Sequence, residues 1–104
     1  MELIAPLNQE AVEAWSGVLF QRWVQHRDVL ADSVRPVSDE AFAICKPAPG
    51  ERVLDVGCGL GETTRSLATL VGPDGAVTGI DAGEGFVERA RAETQEAGHT
   101  NATT

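Results

Sequence analysis

The chain has 104 residues and a formal net charge of −8, so it forms one domain at most and is poorly suited to neutralising the phosphates of nucleic acid. Its two cysteines lie far apart without metal-ligand spacing, which fits a reducing compartment and no bound metal. No apolar run reaches the roughly 18 residues of a membrane span and no signal peptide is evident, so a cytoplasmic protein without a membrane partner is expected.

Residues 1–49 are predicted to form a helical cap. A first helix is expected to run from residue 8 or 9 towards Trp15. A later helix is expected to start at the Ser-Asp-Glu run of residues 38–40, which is typical of a helix N-terminus. The Pro-Ala-Pro-Gly run of residues 47–50 should end that helix and turn the chain into a strand.

Between these two helices, residues 19–30 show helical periodicity. The stripe has the spacing of one helix face and includes two aromatics, and its members are Leu19, Phe20, Trp23, Val24, Arg27 and Leu30. The cap is therefore expected to contain two or three helices. The pair Trp15 and Trp23 is interpreted first as packing within this cap.

The strongest functional signal lies in residues 53–64. A short apolar run that includes one acid, Asp55, is followed by glycines at every second position, Gly57, Gly59 and Gly61. Glycine permits a positive φ and lets a ligand approach the main chain closely. A strand that leads through such a loop into a helix is typical of nucleotide binding at the carboxyl ends of the strands in open α/β sheets.

The spacing of these glycines does not fit the dinucleotide fingerprint G-x-G-x-x-G. Its third glycine would fall at position 62 or 64, where the chain has Glu62 and Thr64. Glu62 and Asp55 would also place negative charge beside a pyrophosphate. S-adenosylmethionine instead has a sulfonium and an ammonium, and loop N–H groups can hold its carboxylate. The loop therefore favours S-adenosylmethionine, and an NAD-dependent oxidoreductase is the less favoured alternative.

A second signal follows within a strand–helix–strand unit. Residues 63–71 are predicted to form a helix, residues 72–75 a turn, and residues 76–80 a strand, and Asp81 follows directly at the tip of that strand. Asp81 lies 26 residues after Asp55, at the place where an acid of nucleotide-binding α/β folds accepts hydrogen bonds from ribose hydroxyls. Asp81 could instead cap the next helix, since aspartate is a good N-cap residue.

Both segments resemble those of a known family. The run Asp55-Val56-Gly57-Cys58-Gly59-Leu60-Gly61 resembles the acid-x-Gly-x-Gly-x-Gly signature of class I S-adenosylmethionine-dependent methyltransferases. The run Gly79-Ile80-Asp81-Ala82, followed by Phe86, is similar to the pattern around that family's second strand. The resemblance implies a Rossmann-like α/β fold, S-adenosylmethionine as the cofactor and methyl transfer as the activity.

The resemblance also implies a role for individual residues. The loop glycines would hold the methionine portion, Asp55 would steer its ammonium directly or through water, and Asp81 would hold the ribose diol. Phe86 would pack on adenine, although it is equally the first apolar residue of a helix predicted over residues 84–97. The Cys58 thiol is expected to do no chemistry, and no catalytic residue can be nominated. The expected cofactor-binding residues are Asp55, Gly57, Cys58, Gly59, Gly61, Asp81, Ala82 and Phe86.

The function and the role of the cap leave alternatives. The stretch from Trp15 to Trp23 is similar to that of the methyltransferases of quinone biosynthesis, which implies that the cap covers the cofactor and forms one wall of the acceptor pocket. The acceptor is expected to be a small molecule and remains unidentified. A module that binds S-adenosylmethionine without transferring the methyl group would show the same loop.

The expected architecture is the helical cap of residues 1–49 followed by a partial S-adenosylmethionine-binding unit, residues 50–104. That unit would supply the first β-α-β-α of a seven-stranded, mostly parallel sheet, with a third strand beginning within residues 101–104. The chain is therefore interpreted as the N-terminal part of a longer enzyme, or as one whose sheet a partner chain completes. Exposed strand edges would allow self-association. The strand residues expected to be only partly covered are Val53, Leu54, Val56, Val77 and Ile80.

Overall fold

The computed structural model describes residues 6–104, which begin with a helical cap. After a 3₁₀ turn, Pro6–Asn8, the cap consists of α1 (Gln9–Ser16), α2 (Val18–Gln25) and α3 (Arg27–Ile44). Single residues, Gly17 and His26, separate consecutive helices. The prediction of two or three helices is confirmed. None of the helices among the described residues is long and apolar enough to cross a membrane.

The predicted helix start at residues 38–40 is wrong, because α3 continues through that run to Ile44. Pro36 lies inside α3 and has no N–H to donate to the carbonyl of Asp32. This stretch of α3 is exposed, so water can satisfy that carbonyl and the helix need not end. An ion pair of 2.7 Å between Arg35 and Asp32 spans the same turn.

The second half of the chain alternates strands and helices. Its elements are β1 (Arg52–Val56), α4 (Glu62–Val71), β2 (Ala76–Ile80), α5 (Glu84–Glu96) and β3 (Ala102–Thr103). The strands form one parallel sheet in the order β1-β2-β3. In its register Asp55 lies opposite Gly79, and Val77 lies opposite Ala102. The predicted strand–helix–strand unit and the start of a third strand within residues 101–104 are both confirmed.

Helix α4 covers one face of the sheet and forms the core with β2. Leu67, Ala68 and Val71 of α4 pack against Val77, which is 1% exposed. Phe42 of α3 also packs against this cluster. The side-chain amide of Asn101, just before β3, donates to the carbonyls of Ala68 and Gly72 at 2.9 and 2.8 Å. The C-terminal end of α4 is thereby tied to the start of β3.

The opposite face of the sheet is exposed. Side chains alternate between the two faces of a strand, so residues next to core positions point away from α4. Leu54, Val56 and Ile80 are 60%, 72% and 45% exposed. The prediction of partial covering holds for these three residues and for half-buried Val53, and it is wrong for Val77, which α4 buries.

Candidate functional site

The glycine loop connects the end of β1 to α4 with three left-handed residues. Gly57, Gly59 and Gly61 have φ values of 73°, 55° and 85°, which side chains other than glycine rarely adopt. A Cβ atom at Gly57 or Gly59 would meet no other atom within 4 Å. The requirement for glycine there is therefore conformational, and the loop leaves open space above its main chain.

The loop is tied to the end of β2. The N–H groups of Gly57 and Cys58 donate to the carbonyl of Ile80 at 2.8 and 2.9 Å. The N–H of Gly59 donates to Asp81 Oδ2 at 2.9 Å. The two predicted motifs thus meet at the carboxyl ends of two adjacent parallel strands, which is where open α/β sheets bind ligands.

Asp81 connects the glycine loop to the segment that precedes α5. Its Oδ1 accepts a hydrogen bond of 2.9 Å from the N–H of Gly83, while its Oδ2 accepts the bond from Gly59. The N-cap of α5 is Gly83, so the alternative in which Asp81 caps this helix is wrong. Each carboxylate oxygen has a further lone pair, and Asp81 can therefore still accept hydrogen bonds from two hydroxyl groups.

A cleft of about 320 Å³ opens above the loop, and we call it the cofactor cleft after the role that the sequence predicts for its residues. This volume is at the lower end of the range typical of ligand sites. Five of the eight predicted residues line it, together with two tryptophans of the cap. The lining residues are Trp15, Trp23, Gly57, Gly59, Asp81, Ala82 and Phe86.

The other three predicted residues lie outside the cofactor cleft. Asp55 is half-buried, and its Oδ2 accepts a hydrogen bond of 2.7 Å from the hydroxyl of Thr64, which joins β1 to α4. Gly61 is the N-cap of α4, and its φ of 85° turns the chain into that helix. Cys58 lines an adjoining cleft instead.

Cys58 is a residue of the glycine loop, and it is buried, with 7% of its surface exposed. A side chain at Gly79 would bring its Cβ within 2.9 Å of Cys58 Cβ and of Thr64 Oγ1, so glycine at position 79 makes room for both residues. Burial, and then the negative charges of Asp81 and Asp55, raise the pKa of the Cys58 thiol. A neutral, enclosed thiol is a poor nucleophile. Among residues 6–104 no cluster of side chains suited to a metal ion occurs.

Phe86 joins the cap to α5. Its ring makes edge-on contacts with Phe20, Trp15 and Trp23 at centroid distances of 5.0, 6.0 and 6.3 Å. We call Trp15, Phe20, Trp23 and Phe86 the aromatic cluster. Phe86 is 2% exposed yet lines the cofactor cleft. Phe86 is therefore a core residue, as expected of the first apolar residue of a helix. It also borders the cleft in which the family resemblance places adenine.

Sequence analysis missed the polar contact between the cap and this site. Arg27 donates to Glu93 Oε1 at 2.8 Å and to Glu62 Oε1 at 3.2 Å. Burial would lower the pKa of Arg27, but the hydrogen bonds and charges of the two glutamates outweigh it and raise that pKa. A lone arginine within an apolar stripe was the available signal, since arginine is rarely buried unless it is paired.

The fold and the site define a Rossmann-like nucleotide-binding unit of the class I methyltransferase type. Residues 47–104 match a family model described as a methyltransferase domain. The match covers more than half of the chain, and the chain therefore belongs to the methyltransferase domain family.

Curated relatives agree with this assignment. The chain is 44% identical over 66 residues to aklanonic acid methyltransferase DauC of Streptomyces sp. strain C5, covering 64% of this chain and 30% of the relative. It is 44% identical over 64 residues to nocamycin O-methyltransferase of Saccharothrix syringae, covering 62% and 23%. A shorter match, 54% identical over 41 residues, reaches a 23S rRNA (uracil(1939)-C(5))-methyltransferase of Acinetobacter baumannii strain AB0057 and covers 39% and 9%. The chain thus spans less than a third of each relative.

A solved structure shows the same fold. A SAM-dependent methyltransferase from Aquifex aeolicus superposes with a TM-score of 0.54 and 35% identity, over 55% of this chain and 30% of that one. The predicted Rossmann-like fold is confirmed. The family and this neighbour likewise identify S-adenosylmethionine as the cofactor.

Proposed function

We propose that this chain provides the cofactor-binding part of an enzyme that transfers a methyl group from S-adenosylmethionine to a small molecule. The observation that supports it most is the 2.9 Å hydrogen bond from the N–H of Gly59 to Asp81. That bond joins the glycine motif and the acid motif at one cleft, although they lie on different strands. A glycine loop without a binding role would not require a contact with an acid at the end of the adjacent strand.

The residues of the cofactor cleft suit the parts of S-adenosylmethionine. The N–H groups of Gly59 and Gly61 already donate to Asp81 and to the carbonyl of Cys58, so the methionine carboxylate would be held by the N–H groups in the first turn of α4, which have no intrahelical acceptor. Asp81 can accept hydrogen bonds from the ribose diol. Ala82 and Phe86 offer an apolar wall for adenine. Asp55, whose Oδ2 is bonded to Thr64, would act on the ammonium through water rather than by direct contact.

The cofactor supplies a methyl group already activated by its sulfonium. Once bound, the cofactor would supply this methyl carbon to the acceptor, and the electron pair of the carbon–sulfur bond would remain on sulfur. Because no proton need be moved on the cofactor, the contribution of the chain is alignment. Well-oriented reactants gain about 7–11 kcal/mol in this way.

A second cleft, the side cleft, supports the interpretation that the cap forms one wall of the acceptor pocket. It has a volume of about 210 Å³ and shares Trp23, Gly57 and Gly59 with the cofactor cleft. On its cap side lie three apolar residues of α3, namely Leu30, Ala31 and Val34. An acceptor in the side cleft would therefore contact an apolar wall on the cap side and the Arg27–Glu62 ion pair beside the glycine loop.

This apolar wall and the charge of −8 favour a small, largely apolar acceptor over a nucleic acid. The names of the two relatives matched over about two thirds of this chain, those for aklanonic acid and nocamycin, are consistent with a small-molecule acceptor. The rRNA methyltransferase match covers 39% of the chain, so it supports a shared cofactor-binding unit and carries little information about the acceptor.

Calorimetric titration and a methyl-transfer assay on the complete protein test this proposal. S-adenosylmethionine and its demethylated product should both bind, and NAD should not compete. Labelled methyl should appear on a small molecule with an apolar surface from an acceptor panel, with the demethylated nucleoside released in equal amount. Tight cofactor binding with no release of product across the panel would favour a module that binds without catalysis.

A further inference from the structure

Arg27 lies where the cap meets both halves of the site. It is the first residue of α3, and it contacts two carboxylates on two different helices. Glu62 is the first residue of α4 and directly follows the glycine loop. Glu93 belongs to α5, the helix that follows Asp81. One guanidinium group thus ties the cap to the helices that follow each cofactor motif.

The contact of Arg27 with Glu93 is more protected than an ordinary surface ion pair, whereas Glu62 is 50% exposed. The side chains of Arg27 and Glu93 are 23% and 28% exposed. Glu93 Oε2 is buried without a hydrogen-bond partner among residues 6–104, and the nitrogen of Arg89 lies 4.0 Å from it. Arg27 is therefore the main compensation for the charge of Glu93, and such charge-assisted bonds are stronger than exposed pairs.

The cap has few other attachments. None of its helices has a fully buried residue among those described. It is held by the aromatic cluster, by Phe42 against the core, and by Arg27. Trp23, which lines both clefts, lies in α2, shortly before Arg27 in the chain. The ion pairs of Arg27 thus fix the part of the cap that lies over the glycine loop.

The charge of Glu62 gives Arg27 a second effect. Glu62 lies at the N-terminus of α4, whose first N–H groups would hold the carboxylate of the cofactor. An unpaired Glu62 would repel that carboxylate, and its pairing with Arg27 at 3.2 Å offsets the repulsion.

We propose that Arg27 is a positioning residue, which holds the cap over the cofactor cleft and neutralises Glu62 beside the loop. The proposal rests on the function proposed above, since it assigns a device to that same cleft. It requires no contact between Arg27 and the cofactor.

The test compares Arg27→Gln with a matched control, Arg35→Gln, in the complete protein. Arg35 lies on the same helix in an exposed pair with Asp32, so both variants remove one positive charge from α3. We expect Arg27→Gln to weaken binding of the demethylated cofactor by about tenfold, and Arg35→Gln to change it less than about twofold. Adding Glu62→Gln to Arg27→Gln should recover part of the loss, which a purely structural role would not allow.

The packing of the cap can be measured independently of cofactor binding. Trp15 and Trp23 both lie in the cap and contact each other, so a difference in tryptophan emission between a variant and the unmodified protein reports the cap. A red shift of the emission in Arg27→Gln, and not in Arg35→Gln, is expected. If Arg27→Gln fails to fold, Arg27→Lys replaces it, because lysine keeps the charge but lacks the fork that reaches both acids. Wild-type affinity in that folded lysine variant would overturn the proposal.

The outcomes separate this proposal from the function on which it rests. Absence of cofactor binding by the unmodified protein would refute the proposed function. Normal binding by that protein, with equal affinity and equal fluorescence in Arg27→Gln, would refute only the role of Arg27. A loss of affinity that Glu62→Gln does not recover would refute the electrostatic part.

Discussion

Replacing Asp81 by asparagine should weaken binding of S-adenosylmethionine much more than it destabilises the fold. Asparagine preserves the size of the side chain but removes its charge, and its amide nitrogen cannot accept a hydrogen bond. With the proposed ribose contacts, two bonds to a charged acceptor would weaken. At about 1.5–3 kcal/mol each, the loss would reach roughly 3–6 kcal/mol, or about 10²- to 10⁴-fold in affinity.

The structure adds a second consequence. Asp81 also accepts hydrogen bonds from the N–H groups of Gly59 and Gly83, both at 2.9 Å. Replacing Asp81 by asparagine therefore also loosens the glycine loop. We therefore expect a measurable fall in melting temperature alongside the loss of affinity. Alanine at this position would remove both acceptors and should cost at least about 10²-fold in affinity.

Calorimetric titration with the demethylated cofactor measures the affinity, and thermal unfolding measures the stability. Asp74→Asn is the matched control, because Asp74 is exposed in the turn before β2 and the substitution removes the same charge. An Asp81→Asn protein that is less stable but binds the cofactor with unchanged affinity would refute the ribose role and leave only the loop contact.

Three further predictions concern selectivity, thiol chemistry and the exposed sheet face. Glu62→Gly should raise residual affinity for NAD by less than about fivefold, because Arg27 already offsets part of the charge of Glu62 at the helix N-terminus, and it should change affinity for S-adenosylmethionine less; equal NAD competition in both proteins would assign exclusion to pocket shape. Alkylation near pH 8, followed by mass spectrometry, should modify exposed Cys45 well before buried Cys58, because the raised pKa of Cys58 also keeps its thiolate fraction low; equal rates would contradict the enclosed loop. The 104-residue chain alone should lack methyl-transfer activity and self-associate in sedimentation, less so with Val56→Lys on the 72%-exposed strand position; a compact, active monomer would show that its sheet needs no covering.

Short-range features of this chain were predictable because their causes are local. A positive φ, a turn or an apolar strand depends on a few neighbouring residues, and the glycine loop and both predicted strands follow that rule. The helix start at residue 38 was mispredicted for a related reason. The Ser-Asp-Glu run meets the local criteria for a helix start, but the exposed helix through Pro36 tolerates the missing hydrogen bond.

For the site residues too, local motifs predicted some positions, and the packing of distant elements decided the others. The motifs predicted that Gly59 and Asp81 belong to one site, and their hydrogen bond confirms that they meet. No motif predicted that Phe86 would be buried under Phe20 and Trp15, because that depends on how the cap packs on α5. Which strand residues are covered likewise depends on α4 and on nothing within the strands themselves.

The sequence by itself determined the nucleotide-binding class, the preference for S-adenosylmethionine and the motif residues, since these follow from glycine spacing and charge over a few residues. Only the tertiary structure decided how the cap is held, because the partners of Arg27 lie 35 and 66 residues away from it. A pairing over such a separation leaves no periodicity in the chain. It arises when two helices bring their acids to one side of a third, which local chemistry does not specify.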